Sequence, residues 1–310
     1  MIGLTMPNGI SYFCFMQSKS IHHYAFFTDE SYLNNRYRCI ASFSLPYDKI
    51  LEVHHQIKDM VKQAALTEFK WSGLNKARAR DCAQDMIMFV INNLDTCDLR
   101  VDALIWDIQD TRHQVKDRDD RANFQYMYYK LLKVAIEKRP VHSTVYIYPD
   151  QKTDVQWKEL AGYLESTGRR KNIADYPLFG ESNIMRNYTI RTFRQVQSEE
   201  CYAVQMADLF AGLPVFSVDA YSRYRLWKEG YSGEYKMFQQ EKEQRYSSRE
   251  KYRFPVLRML EEETKRQKLG VSLNTNKRLH TYNPRNRLNF WHYEPQHEKD
   301  KAPVKKTDYN

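Results

Sequence analysis

The sequence lacks the short motifs from which many enzyme classes are recognised. It contains no GxGxxG, no GxxxxGK[ST], no HExxH and no GxSxG. It therefore gives no sign of a dinucleotide-binding turn, a P-loop, a zincin helix or a nucleophile elbow. Any catalytic chemistry in this chain has to come from residues that are dispersed along it.

Cysteine, glycine and long apolar runs are also scarce. Glycine and proline occur 10 times each, and the five cysteines form no CxxC pair. This pattern argues against a disulfide or zinc framework and predicts free thiols in a reducing compartment. No apolar run approaches the length of a membrane span, and the N-terminus lacks the basic and apolar regions of a secretory signal. We therefore expect a cytoplasmic protein without a membrane segment. The cysteines are Cys14, Cys39, Cys82, Cys97 and Cys201.

The bulk composition is that of a folded, basic protein. Hydrophobic residues make up 42% of the 310 positions, enough for one large domain or two ordinary ones. The 48 lysines and arginines exceed the 39 acidic residues, which gives a net charge of +9. This excess favours anionic partners, and nucleic acid, either DNA or RNA, is the partner that we expect.

Apolar periodicity predicts strands that alternate with helices. This alternation indicates an α/β sheet, and two neighbouring strands near the start favour a mixed sheet over a fully parallel one. We expect strands at 22–29, 38–45, 99–108, 142–151 and 188–196, and helices at 48–66, 74–94, 124–138, 154–166 and 198–216.

The composition changes after about residue 220. The chain is then dense in Lys, Arg, Glu and Tyr, which divides it into a domain over 1–220 and a charged, helical extension over 221–310. Arginines and aromatic residues interleave at 285–293. These aromatics fit either packing of the tail against the core, which we favour, or stacking on unpaired bases.

Four acidic residues stand out by their apolar context. Asp29 follows the strand "YAFFT", Asp150 ends "TVYIYP", Glu68 lies in "EFKW" between two helices, and Asp208 interrupts the apolar helix "QMADLFAG". A buried carboxylate is costly unless it is hydrated, paired, protonated or bound to a metal.

Ordinary structural roles compete with a shared site. A strand-end acid is commonly a loop cap, Glu68 has Lys70 as a local partner, and Asp208 is able to accept bonds from a neighbouring helix N-terminus. Asp107, in "LIWDI", competes with Asp150 as a third carboxylate. Glu30 is either a neighbour that supports the site or an exposed residue.

If the four carboxylates meet, a divalent cation would relieve their repulsion. All-oxygen ligation suits Mg²⁺ or Mn²⁺ better than Zn²⁺. Two such ions, about 3.5–4 Å apart, are able to activate a water and to stabilise the leaving oxygen of a phosphodiester.

The order of these motifs resembles a bacterial family called domain of unknown function 3800 (DUF3800). The resemblance covers roughly residues 22–216 and rests on "FFTDES", "EFKWS", "TVYIYPD" and "SEECYAVQMADLFAG". The matching residues are Asp29-Glu30-Ser31, Glu68 with Lys70-Trp71, Asp150, and Gln205 with Asp208. The family's Asp-Glu-Ser-Gly lacks its glycine here, since Tyr32 follows Ser31.

The resemblance implies a ribonuclease H-like mixed sheet flanked by helices, with a carboxylate-held metal site. Together with the acids it predicts a metal-dependent nuclease or another phosphodiester-cleaving enzyme, a role compatible with a defence or mobile-element effector. Asp29, Asp150 and Asp208 would hold Mg²⁺ or Mn²⁺, and Glu68 would complete the site or position the attacking water. Lys70 would meet a phosphate, or be an ordinary surface lysine.

Three arginines around the fifth predicted strand are candidates for a substrate groove. They are Arg186, Arg191 and Arg194, and ordinary surface exposure competes with that role. The alternative function is a non-catalytic nucleic-acid-binding or assembly protein with the same fold. The sequence leaves open the choice between DNA and RNA, the oligomeric state and whether a partner protein binds.

Overall fold

The computed structural model describes residues 22–31, 35–110, 119–151, 155–171, 184–232 and 246–294. The strands are β1 (His23–Ser31), β2 (Tyr37–Pro46), β3 (Arg100–Asp107), β4 (Ser143–Pro149), β5 (Arg169–Lys171), β6 (Ile184–Arg186), β7 (Tyr188–Phe193), β8 (Val271–Ser272), β9 (His280–Thr281) and β10 (Leu288–His292). The helices are α1 (Ile50–Gln63), α2 (Ala77–Asn93), α3 (Asp120–Glu137), α4 (Trp157–Thr167), α5 (Tyr202–Asp219), α6 (Tyr221–Ser232) and α7 (Ser248–Arg266).

Six strands form one mixed sheet in the order β10-β3-β2-β1-β4-β7. Strand β2 is antiparallel to both of its neighbours, whereas β4 runs parallel to β1 and β7. The α/β class and the mixed sheet predicted from periodicity are therefore confirmed. Because β1, β4 and β7 point the same way, their carboxyl ends meet at one edge of the sheet.

Helices cover both faces of the sheet and create two apolar cores. Odd-numbered residues of β1, Ala25 and Phe27, face the core formed with α1, α2, α5 and α7. Even-numbered residues, Tyr24 and Phe26, face the core formed with α3 and α4. The alternation follows from the two-residue period of a strand. Both faces of β1 are buried, which explains its continuous apolar run.

Helix α5 is the central helix of the first core and packs across β1, β2 and β3. Every residue from Ala203 to Ser217 is buried except Asp208. Its sequence is apolar all round because the helix is enclosed all round. Asp208 is thus the one residue of this span that keeps partial solvent exposure, and it lines a polar pocket together with the buried Gln205.

Residues beyond 220 add to the same core. Phe254 and Leu257 of α7 are fully buried, and α7 packs against α2. Strand β10 joins the main sheet in parallel with β3, and its Phe290 is buried beside Phe210 of α5. The main sheet therefore includes a strand from the stretch that the composition assigned to an extension.

The structure also bears on thiols and membrane spans. Cys39, Cys82, Cys97 and Cys201 are free thiols, whereas Cys14 lies outside the described residues. Within the described ranges, no single helix has the length and apolar character needed to cross a membrane.

Candidate active site

Two of the candidate carboxylates follow neighbouring parallel strands. The pairing of β1 with β4 ends at Thr28 and Pro149, so Asp29 and Asp150 are the next residues on each strand. The Asp150 amide donates to the Thr28 carbonyl at 2.9 Å, which continues the ladder. Adjacent strands lie about 4.8 Å apart, so this register brings the two side chains to the same edge.

The segment that carries Glu68 is fixed to one face of α5. The Phe69 amide donates to Gln205 Oε1 at 2.9 Å, and the Trp71 amide donates to Asp208 Oδ2 at 2.5 Å. One turn further on, a Cβ at Gly212 would lie 2.1 Å from the Trp71 ring. Residues at 205, 208 and 212 share a helical face, so their spacing docks this segment against the helix.

Arg253, from the C-terminal part of the chain, also holds the segment that carries Glu68 in place. Arg253 of α7 donates to the Trp71 carbonyl at 2.6 Å, and its guanidinium carbon lies 4.5 Å from the centre of the Trp71 ring. Trp71 is 1% exposed. No local sequence pattern indicates this contact, because the two residues are far apart in the chain.

The four candidate carboxylates and Lys70 line one pocket of about 190 Å³. Four separate parts of the fold supply the acids: the end of β1, the segment before Trp71, the end of β4, and α5. The lining residues are Asp29, Glu68, Phe69, Lys70, Ser72, Asp150, Ser198, Gln205 and Asp208.

Glu68 is held by two partners inside the pocket. Ser198 Oγ donates to Glu68 Oε1 at 2.5 Å, and Lys70 Nζ lies 2.9 Å from Oε2. Ser198 is itself positioned by its carbonyl, which accepts from Gln205 Nε2 at 2.7 Å. Sequence reasoning missed Ser198, although it lies in the quoted stretch that begins "SEECY".

The pocket is unfavourable for negative charge. Burial raises the pKa of Asp29 well above its usual range, and charge on Asp208, Glu30 and Asp150 raises it further. Burial, followed by charge on Asp150 and Glu68, raises the pKa of Asp208 to about 7, against the lowering effect of the Trp71 amide. Burial also raises the pKa of Asp150. The acids therefore repel one another, and the ammonium of Lys70 only partly offsets this repulsion.

The donor chemistry of the pocket fits a hard divalent cation, since its charged ligands are all carboxylates. The side-chain positions do not close around an ion: among the described residues, no group of three or more His, Cys, Asp or Glu side chains is arranged to hold one. Two of the carboxylate oxygens already have partners: Glu68 Oε2 contacts Lys70, and Asp208 Oδ2 accepts from the Trp71 amide.

Two other acids lie outside this pocket. Glu30 is on the opposite face of β1, where it accepts a hydrogen bond from Tyr128 in the second core. Asp107 lies on β3, two strands away from β1, and Arg36 contacts it at 2.7 Å. The structure thus groups Asp150, and not Asp107, with Asp29.

The three candidate arginines are in different positions. Arg194 lines a groove beside the pocket. Arg191 is exposed on the edge strand β7, at an irregularity in its pairing with β4, and does not line that groove. Arg186 lies in β6, and its side chain is outside the described residues.

Fold and pocket together define the class: an α/β protein with a mixed six-stranded sheet and a cluster of four carboxylates at one sheet edge.

Two proteins of Methanothermobacter thermautotrophicus are similar to this chain along nearly its whole length. "Uncharacterized protein ORF2'" is 34% identical over 286 residues, which cover 90% of this chain and 96% of the relative. "Uncharacterized protein ORF2" is 35% identical over 285 residues, which cover 89% and 96%. The chain belongs to the family of these two proteins. No family model matches it.

Proposed function

We propose that this protein is a metal-dependent nuclease, or another phosphodiester-cleaving enzyme, with a ribonuclease H-like core of the DUF3800 type. The observation that carries the proposal is the meeting of four carboxylates from separate parts of the fold at one pocket. Their burial and mutual repulsion raise the pKa values of Asp29 and Asp208. Strongly perturbed acids that share a cleft are typical of functional sites.

Asp29, Asp150 and Asp208 are the proposed ligands of Mg²⁺ or Mn²⁺, with Glu68 completing the site or orienting a water. The bound ions would activate that water and stabilise the departing oxygen of the phosphodiester. The protein contributes a rigid frame, because Gln205 and the buried Trp71 fix the segment that carries Glu68.

Lys70 is the proposed contact for the substrate phosphate. Its side chain is 52% exposed and lines the pocket, and its ammonium forms a salt bridge with Glu68. A cation at this position would stabilise negative charge that develops on the phosphate. Binding of an ion by Glu68 would release the ammonium from its present partner.

Cleavage of labelled DNA and RNA in Mg²⁺ or Mn²⁺ tests this function. We expect wild-type protein to cut at least one of them, and Asp29→Asn and Asp208→Asn to lose most of that activity. Asp107→Asn is the matched control, since its carboxylate lies outside the pocket. Equal cleavage by the wild type and both pocket variants would refute the proposal.

A second candidate is a non-catalytic nucleic-acid-binding or assembly protein that retains the fold. The observation that favours it is that the described acids do not close around an ion. Thermal melting with Mn²⁺ separates the two candidates, because a ligand that binds only the folded state raises the midpoint. A rise in the wild type that is lost in Asp29→Asn supports the enzyme, whereas no rise in either supports the binding protein.

A further inference from the structure

A groove of about 870 Å³ lies directly beside the carboxylate pocket. It exists because α5 packs across β1, β2 and β3, while the side chains of β4 on the same face stay half-exposed. Tyr148 is the β4 side chain that lines the groove. The groove therefore has this half-buried ring of β4 as part of its floor.

The floor of the groove leads into the pocket. Tyr146, Tyr148 and Asp150 lie on one face of the same extended chain segment. Each is about 6.6 Å along the chain from the next, because every second residue of a strand faces the same side. Val196, which lines the groove, forms a parallel bridge with Asp150, and its amide donates to the Pro149 carbonyl at 3.0 Å. A polymer lying along this floor would pass from the tyrosines to the carboxylates.

Two aromatic rings that line the groove, Tyr148 and Tyr47, pack against neighbouring rings. The Tyr148 ring stacks on Phe27 with centroids 5.3 Å apart and planes 22° apart. Tyr47, which follows β2, lies 4.1 Å from the Tyr146 ring and is 41% exposed. Burial, followed by the neighbouring Tyr47 phenol, raises the pKa of Tyr148 to about 12.

Arg194 supplies the positive charge. Its side chain is exposed and has no salt bridge among the described residues, and its backbone amide donates a hydrogen bond to the Ile147 carbonyl of β4 at 3.0 Å. Glu200 also lines the groove and is the acidic member of the described lining. Exposed rings beside an arginine match a chain of phosphates and unpaired bases, because every base has a face that stacks.

We propose that this groove binds an unpaired strand of nucleic acid, with bases against Tyr47 and Tyr148 and a phosphate on Arg194. The groove delivers the next phosphate of that strand to the carboxylate pocket. That delivery rests on the proposed phosphodiester-cleaving function, whereas the binding itself does not. A base-paired duplex is a poorer occupant, since its base faces are already stacked within the helix.

Binding is measured by fluorescence anisotropy with labelled dT12, rU12 and a 12-base-pair duplex, in EDTA so that no cleavage occurs. The variants are Tyr47→Ala and Arg194→Ala. Their matched controls are Tyr163→Ala, an exposed tyrosine on α4 at the other face of the sheet, and Arg191→Ala, an exposed arginine outside the groove. Melting curves of all four variants check that each one folds.

We expect tighter binding of dT12 or rU12 than of the duplex. Tyr47→Ala and Arg194→Ala should each weaken it by roughly 5- to 100-fold, while the controls stay within about twofold of the wild type. Arg194→Ala should also flatten the salt dependence. Three results would each refute the proposed strand binding: no binding by the wild type, equal binding of the duplex, or equal effects of groove and control variants. Binding that depends on the groove residues, without cleavage in Mg²⁺ or Mn²⁺, would support strand binding and refute the proposed nuclease function.

Discussion

Two groups of acids on opposite faces of the sheet differ in how their charge is compensated. Asp102 on β3 is 0% exposed, yet its pKa is held below its usual range against the effect of burial. Arg100 Nε lies 2.6 Å from it, and Lys138 Nζ and Asn289 Nδ2 each lie 2.8 Å away. Asp29 and Asp208, on the other face, have raised pKa values.

The difference shows that burial alone does not indicate a functional acid. Asp102 has two cations and an amide, and nearby Asp98 has Arg139 and Arg287, so their charge is compensated within the fold. The carboxylate pocket has Lys70 as its lining cation, and that ammonium already contacts Glu68. We interpret the first group as structural and the second as poised for a cation from outside.

Removing Asp102 should have the largest effect on stability. Asp102→Ala leaves Arg100 buried without its carboxylate, and breaking such a pair destabilises a protein by about 3–5 kcal/mol. Urea unfolding measures the change. A loss below about 1 kcal/mol would contradict the structural role assigned to this group.

Gly212→Ala should have the next largest effect, because it separates α5 from the segment that carries Glu68. The new methyl group would lie 2.1 Å from the Trp71 ring. Overpacking of this kind destabilises a protein by about 1–3 kcal/mol. Gly162→Ala in α4 is the matched control, since nothing lies within 4 Å of its added methyl group. We expect Gly162→Ala to raise the free energy of unfolding by about 0.5–1 kcal/mol, because alanine is favoured over glycine inside a helix. Similar effects of the two substitutions on unfolding would show that the close approach at Gly212 is unimportant.

The two groups of acids should contribute to the free energy of unfolding with opposite dependence on pH. The pKa of Asp208 rises to about 7 in the folded state, so the folded protein binds more protons than the unfolded chain between about pH 4 and 7. The free energy of unfolding therefore falls as pH rises through this window in EDTA. The lowered pKa of Asp102 has the reverse effect: its stabilisation is present at neutral pH and is lost as pH falls below about 4.

Asp208→Asn isolates the first of these effects. The amide oxygen still accepts from the Trp71 amide, but the negative charge is gone. We expect the variant in EDTA at pH 8 to be more stable than the wild type, and the difference to vanish near pH 4. Chemical denaturation across this pH range measures it. A variant less stable than the wild type at pH 8 would show that the carboxylate is compensated after all.

Much of the fold could be predicted because the apolar periodicity is local. The helix predicted at 74–94 is observed as Ala77–Asn93, and the strand predicted at 99–108 as Arg100–Asp107. Strand β10 escaped prediction because "LNFWH" is short, lies among basic residues and pairs with β3 from a distant part of the chain. Its partner is fixed by the tertiary fold and not by its own pattern.

The candidate site could be predicted only in part, for the same reason. Asp29 and Asp208 are candidate site residues because each places a charge next to or within an apolar run. Asp102 also interrupts an apolar run, so this pattern alone does not distinguish it from them. What separates them is the presence of Arg100 and Lys138, and the sequence does not show which cation reaches which acid. The contact of Arg253 with Trp71 and the ring of Tyr47 beside Tyr146 likewise depend on long-range packing.

The smallest effect is expected at Asp107, which the sequence could not separate from Asp150. Arg36 contacts this carboxylate at 2.7 Å, but the arginine side chain is 52% exposed, and pairs of this kind contribute about 0.2–1 kcal/mol. Asp107→Asn should therefore leave stability nearly unchanged and keep any rise of the melting midpoint with Mn²⁺. Asp150→Asn should abolish that rise, because its side chain lines the pocket with Asp29 and Asp208. If Asp107→Asn removed the rise and Asp150→Asn did not, the cation would bind at β3, and the distinction between compensated and uncompensated acids would no longer identify the site.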